Sequence, residues 1–301
     1  MSGTFRGIYA ALTTPFESNG DISLQGLRRN IGFTNPAGLA GYVVLGSTGE
    51  SVFLSDAESE ALAAAAVEAA APGRTIIAGT ARESTRLTVD FTNRLASLGV
   101  RAALVRTPAY YKSRMTAEAQ KAYFLSVAEG SRIPVLIYNF PQNTGISLDS
   151  EVVVALAGHP NIAGIKDSSG NLTAVGEIVP NVREDFHYLV GSGSLLLPAL
   201  LLGAEGAILA AAAAAPDLCL HVYGLYREHR LEEARKAQSD LALLHRTVVP
   251  RQGIAGLKYA LDLLGCHGGP VRSPLLPLSE NGRTEVGDVL KRLGLSPAPE
   301  E

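Results

Sequence analysis

A chain of 301 residues with 47% hydrophobic residues has enough apolar surface for one barrel-sized core or for two ordinary domains. Its 26 Lys+Arg against 29 Asp+Glu leave a formal net charge of -3, with no basic run and no basic–aromatic interleaving to mark a nucleic-acid face, so a small molecule is the expected partner. Cys219 and Cys266 are too few for a disulfide framework and do not sit with His or Asp at a metal-ligand spacing, so no metal site is expected. Met1 to Arg6 lack the apolar segment of a secretory signal, which makes a cytoplasmic location the expectation.

Along the chain, short apolar runs at 7–13, 41–45, 75–78, 102–106, 135–138, 163–166, 188–190 and 207–209 predict strands, each followed by a longer Ala/Leu-rich segment with helical spacing. Ser55-Asp56-Ala57-Glu58 places a cap residue before an acidic first turn, and Thr116-Ala117-Glu118 and Asp149-Ser150-Glu151 repeat that signal at later helix starts. The stretch 195–216 is dense in Leu and Ala and approaches bilayer-spanning length. Pro198, Gly203, Glu205 and Gly206 break it, predicting a buried helix, a turn and a buried strand, with no membrane span. Beyond Pro216, the segments 218–227, 231–248 and 253–264 read as helices, and a short tail starts at Ser296.

Strands that alternate with helices imply a parallel sheet, because each parallel neighbour needs a crossover. Eight such units predict a (β/α)8 TIM barrel, with residues 1–216 as the barrel core and 217–301 as a C-terminal helical extension packed on it in one structural unit.

In such a barrel the active site lies where the strands end, so the residues leaving each run are the candidates. Lys166 follows Ile162-Ala163-Gly164-Ile165, which starts its stem inside an apolar mouth. Burial disfavours an ammonium, and a neutral amine attacks carbonyl carbon; the alternatives are a lysine that snorkels to water or pairs with Asp167. Tyr138 ends the preceding run, either as a proton shuttle beside that amine or as an amphipathic lid on the core. Ser47 and Thr48 lie between Gly46 and Gly49, in a turn whose N–H groups and hydroxyls can hold a carboxylate or simply cap the next helix. The Gly191-Ser192-Gly193 stretch is too short for a dinucleotide fingerprint and reads as a pocket wall, while the histidines show no HExxH arrangement.

Taken in order, Ala10-Ala11-Leu12-Thr13-Thr14-Pro15-Phe16, Gly46-Ser47-Thr48-Gly49-Glu50, Tyr138-Asn139-Phe140-Pro141 and Gly164-Ile165-Lys166-Asp167 resemble the dihydrodipicolinate synthase / N-acetylneuraminate lyase superfamily, over 7 to about 278. The resemblance implies a Schiff-base aldolase acting on pyruvate, with Lys166 as the nucleophile, Tyr138 as its proton shuttle and no metal or dissociable cofactor. It further implies that Thr48 connects Tyr138 to Tyr110 lent by a neighbouring subunit, and that Ser47 and Thr48 hold the pyruvyl carboxylate. Gly191 and Ile208 would line the pocket, and the assembly would be a homotetramer built as a dimer of dimers.

One departure bears on the substrate. Asn143 stands where dihydrodipicolinate synthases usually carry an arginine that grips the second substrate, and a neutral amide makes no charge-assisted bidentate pair. Tyr110-Tyr111-Lys112-Ser113-Arg114-Met115, Asn143-Thr144-Gly145, Lys166-Asp167-Ser168 and Gly268-Gly269-Pro270-Val271-Arg272-Ser273-Pro274 instead look like 4-hydroxy-2-oxoglutarate aldolase and the 2-keto-3-deoxy sugar-acid aldolases. In that reading Asn143 and Ser168 contact the substrate. The alternatives are dihydrodipicolinate synthase using aspartate semialdehyde, a keto-deoxy sugar acid dehydratase, and a non-catalytic protein that binds a pyruvate-like ligand.

Overall fold

The computed structural model describes residues 5–295. Its strands are β1 (Gly7–Ala11), β2 (Gly41–Val44), β3 (Thr75–Gly79), β4 (Ala102–Arg106), β5 (Val135–Asn139), β6 (Ile162–Asp167), β7 (His187–Val190) and β8 (Gly206–Leu209). All pair in parallel in chain order, and β8 returns to β1 with Gly7 against Gly206, which closes the (β/α)8 barrel. Each predicted run overlaps one of these strands.

Side chains that alternate along a strand divide between two cores. Tyr9, Val43, Ile77, Leu104, Leu136, Leu189 and Ile208 fill the barrel interior. Their neighbours Ala10, Val44, Ala103, Val105, Ile137, Val190 and Leu209 turn outward to pack beneath the helices. A barrel packed this way has no central channel, and in this fold the ligand site lies at the mouth where the strands end.

The helix signals act largely as read. Ser55 Oγ accepts the Glu58 N–H (3.2 Å) while Glu58 Oε2 accepts the Ser55 N–H (2.8 Å), a reciprocal cap on Asp56–Ala69. Thr116 caps Ala117–Gly130 through the Ala119 N–H, but Asp149 makes no side-chain cap bond to Ser150–Ala157. The 195–216 stretch resolves into the helix Leu196–Leu201, then β8, then the short helix Ala211–Ala214. No helix among the described residues is long and apolar enough to cross a membrane.

The helix Pro216–Arg227 packs against β1 at the barrel's closing seam. Leu231–Arg246 runs into a π-helical turn at Thr247–Arg251, with Pro250 inside it, before Gly253–Leu263. A further helix, Glu280–Arg292, was not anticipated; its buried apolar residues Val286, Val289 and Leu290 all lie in its second half, behind a polar start whose Asn281-Gly282 reads as a turn. Its cap, Ser279 accepting the Gly282 N–H at 3.1 Å, was the available signal. The tail from Ser296 lies outside the described residues.

Candidate active site

At the mouth, strand register sets three side chains in a row: Arg106 of β4 is matched with Tyr138 of β5, and Tyr138 with Lys166 of β6. Residues matched across parallel strands face the same side, and for Tyr138 that side is the barrel interior. Lys166 is therefore held inside, 4% exposed, with Nζ 4.3 Å from the centroid of the Tyr138 ring. No ion pair among the described residues includes it.

Strand alternation also removes Asp167 as its partner. Asp167 turns to the outer face, where it accepts the Tyr188 hydroxyl (2.6 Å), Asn139 Nδ2 (2.9 Å), and the N–H and Oγ–H of Ser169 (3.0 and 2.9 Å). Burial first, and then the Asp167 carboxylate, push the Tyr188 phenol far above its ordinary value. The four donors fix the exits of β5, β6 and β7 relative to one another, and with them the direction in which Lys166 emerges.

Tyr138 stacks on Phe140 (centroids 5.7 Å apart), and its hydroxyl lies 3.4 Å from Ser47 Oγ. Ser47 is brought there by the Gly46–Gly49 turn, flanked by Leu45 (φ 57°) and Glu50 (φ 54°), both in left-handed backbone that side chains rarely adopt. The turn leans so closely on β3 that a Cβ at Gly79 would overlap the Leu45 carbonyl oxygen. Thr48, expected to carry the link to Tyr138, makes no side-chain hydrogen bond among the described residues; the hydroxyl at bonding distance is that of Ser47.

A cavity of about 470 Å³ opens here, lined by Gly46, Ser47, Leu104, Arg106, Tyr138, Phe140, Asn143 and Thr144, with Ile254 and Leu275 contributed from the C-terminal part of the chain. Lys166, Thr48, Ser168, Gly191 and Ile208 are not on that lining. Ile208 is fully buried in the barrel core beneath the mouth. Gly191 abuts Ser168, whose Oγ occupies the place a Cβ at Gly191 would take, so the wall at β7 requires glycine there. Tyr110 is 78% exposed, set edge-on against Tyr111, and is not itself on the cavity lining, though Ala109 is.

Sequence reading missed two features of the site. The first is Arg106, which it took only as the end of a strand. Its guanidinium lies 2.9 Å from Glu83 Oε1, and Glu83 Oε2 accepts the N–H groups of Ala109 (2.8 Å) and Tyr110 (3.0 Å). Burial pushes the Glu83 carboxyl up, but the Tyr110 N–H, the Arg106 guanidinium and the Ala109 N–H outweigh it and hold the group below its ordinary value. The alternation Ala102, Leu104, Arg106 was the signal that could have found it.

The second is a buried ion pair behind the Gly46–Gly49 turn. Lys258 Nζ meets Glu50 Oε1 at 2.6 Å and donates to the Pro270 carbonyl at 2.6 Å, while Glu50 Oε2 accepts the Arg272 N–H at 2.8 Å. Arg272 in turn forks onto Glu58 and holds its carboxyl down at about 2. The Gly268–Pro274 motif thus pins the C-terminal helices to the turn that presents Ser47.

Comparison with known proteins identifies the family. The model of the dihydrodipicolinate synthetase family matches residues 4–293. The chain belongs to that family. Dihydrodipicolinate synthetase family enzymes are Schiff-base, pyruvate-dependent lyases that use a lysine–pyruvate imine and no separate cofactor, which agrees with the expected reaction class. A relative from Methanosarcina barkeri, named 4-hydroxy-tetrahydrodipicolinate synthase, is 37% identical over 97% of this chain and 99% of its own length. One of the same name from Exiguobacterium sp. is 32% identical over 94% of this chain and 96% of its own. The crystal structure of a dihydrodipicolinate synthase from Thermotoga maritima superposes with a TM-score of 0.93 at 28% identity, covering 97% of this chain and 100% of that one. These relatives carry the name of the activity that sequence reading placed second, behind 4-hydroxy-2-oxoglutarate aldolase.

Proposed function

We propose that this member of the family forms an imine between Lys166 and pyruvate and condenses the resulting enamine with aspartate semialdehyde, as a 4-hydroxy-tetrahydrodipicolinate synthase. The observation that carries the chemistry is a buried lysine with no carboxylate partner among the described residues, set in register beside Tyr138 at the barrel mouth. The full-length relatives of that name support the choice of acceptor.

In this mechanism the Lys166 amine adds to the pyruvate carbonyl carbon, and the Tyr138 hydroxyl passes a proton to the carbinolamine oxygen, which leaves as water. The protonated imine withdraws electrons from the adjacent methyl group. Transfer of one methyl proton to the Tyr138 relay gives the enamine, whose carbon attacks the acceptor aldehyde while the relay returns that proton to the new alkoxide; the amino group of aspartate semialdehyde then adds to the imine carbon and displaces the Lys166 amine, closing the ring. Ser47 is placed to hold the Tyr138 hydroxyl during these transfers. The turn around it offers N–H groups and hydroxyls to the pyruvyl carboxylate, with Thr48 beside it. Tyr110, exposed and absent from the lining of its own cavity, fits a residue lent to the relay of a second copy, in a tetramer built as a dimer of dimers.

A second reading, cleavage or formation of 4-hydroxy-2-oxoglutarate, is favoured by one specific observation: Asn143 on the cavity wall is a neutral amide. Incubation with pyruvate and borohydride, followed by peptide mass spectrometry, tests the chemistry; an unmodified Lys166 peptide refutes it. Turnover with aspartate semialdehyde against 4-hydroxy-2-oxoglutarate separates the two readings. On the first, Asn143→Arg leaves or improves use of aspartate semialdehyde.

A further inference from the structure

We infer that Arg106 is a specificity-determining residue that grips the carboxylate of the acceptor substrate, at a different strand exit from Asn143. The inference rests on the reading of the chain as a pyruvate-condensing enzyme, and it holds for either acceptor, since aspartate semialdehyde and glyoxylate both carry a carboxylate beside or near the reacting aldehyde.

The placement follows from strand geometry. Ala102 and Leu104 point into the barrel core, so Arg106, two residues further along the same face, points into the mouth above them. Register puts it next to Tyr138, with Lys166 one strand beyond. A pyruvyl group on Lys166 is thereby flanked on the β5 side by a proton donor and, past that, by a guanidinium.

Charge singles out the same residue. Among the described residues Arg106 is the one cation on the cavity lining, and Glu50, the one anion there, is neutralised by Lys258. Asn143, on the same wall, offers only an amide. An anionic acceptor entering this cavity therefore has one place where a carboxylate meets opposite charge.

The guanidinium has the capacity to take it. Both of its polar contacts use Nη1, to Glu83 Oε1 (2.9 Å) and to the Thr107 carbonyl (3.0 Å). The Nε and Nη2 hydrogens carry no hydrogen bond among the described residues, and a guanidinium fork presents such an edge to both oxygens of one carboxylate. Glu83 does not exhaust the group, because its second oxygen is already held by two backbone N–H donors. Its role is to orient the fork. The arginine side chain is 23% exposed, enough for a ligand to reach and sheltered enough for the contact to count.

The test uses the full-length chain as wild type, Arg106→Gln, Arg106→Lys, Glu83→Gln and Lys112→Ala. Lys112 is the rival cation, its amine beside Gly145 and outside the cavity lining. Steady-state kinetics at saturating pyruvate compare aspartate semialdehyde and glyoxylate with propanal, an uncharged aldehyde, and calorimetric titration with succinate reads carboxylate binding without turnover. In Arg106→Gln the kcat/KM for the two acid aldehydes falls about 10- to 150-fold, the worth of a charged hydrogen-bonded contact. Propanal turnover and borohydride trapping of pyruvate stay within about 2-fold of wild type. Arg106→Lys, which keeps the charge and loses the fork, recovers part of the loss, and succinate binding weakens in parallel. Equal losses for propanal and the acid aldehydes, losses reproduced in full by Glu83→Gln, or losses in Lys112→Ala with none in Arg106→Gln would overturn the assignment. If wild type fails to trap pyruvate, the condensing reading falls; if trapping succeeds and Arg106→Gln changes neither acceptor use nor succinate affinity, this inference falls alone.

Discussion

Replacing Lys258 by Met leaves Glu50 as a buried carboxylate without its counter-ion. Both side chains of the pair are essentially inaccessible, 1% and 0% exposed, at 2.6 Å, and Lys258 also donates to the Pro270 carbonyl and lies over the Phe16 ring. Removing one member of such a pair costs about 3–5 kcal/mol, because the remaining charge loses its partner while staying out of water. For a chain of this length, an unfolding entropy of about 2.1 cal/mol/K per residue amounts to about 0.6 kcal/mol/K. The expected fall in Tm is therefore about 5–8 °C. Differential scanning calorimetry of Lys258→Met, Glu50→Gln and the double variant measures it. The double variant should recover much of the loss, since a neutral pair leaves no buried charge uncompensated. A Tm within about 1 °C of wild type for both single variants, or a double variant as unstable as the sum of the two, would refute the reasoning.

Other outcomes follow from the same geometry. Tyr138→Phe should keep the cavity shape and lower kcat about 100- to 10,000-fold, the worth of a general acid–base group; unchanged turnover would remove its assigned role. Ser47→Ala should cost roughly 2- to 10-fold more than Thr48→Ala in a trapping-rate assay on the isolated chain, because Ser47, and not Thr48, reaches the Tyr138 hydroxyl among the described residues; a larger effect at Thr48 would point to a link made through a second copy. His245, whose Nε2 lies 3.2 Å from Ser192 Oγ, is pushed down to about 4 by burial. The unfolded chain then binds a proton that the folded chain does not, so stability is full above about 6.5 and declines as pH falls towards about 4, by about 3 kcal/mol. Denaturant unfolding across that range should show the slope in wild type and a flatter profile in His245→Phe; identical profiles would contradict it.

Much of the fold was legible because period and punctuation agree. The eight apolar runs sit on the eight strands, and Ser55 with Glu58 forms the cap its spacing announces. The helix Glu280–Arg292 escaped because its polar first half, with Asn281-Gly282, reads as a turn, and the π-helical turn at Thr247–Arg251 escaped because an extra residue per turn leaves no mark in a pattern read at helical period. Lys166 and Tyr138 were legible as strand-end residues in a recognisable order. Arg106 was read only as a strand terminus, since one cation after an apolar run is usually a side chain reaching water.

By itself, then, the sequence determined the barrel and the reaction class and pointed to Lys166, because hydrophobic period and strand-end motifs are local properties of the chain. Only the tertiary structure decided what surrounds that lysine. Register, a relation between strands far apart in sequence, sets Arg106, Tyr138 and Lys166 in one row and turns Asp167 away from it. Closure of the chain on itself brings Lys258 to Glu50 across more than half its length, and Ser47 to the Tyr138 hydroxyl in the place where Thr48 was expected.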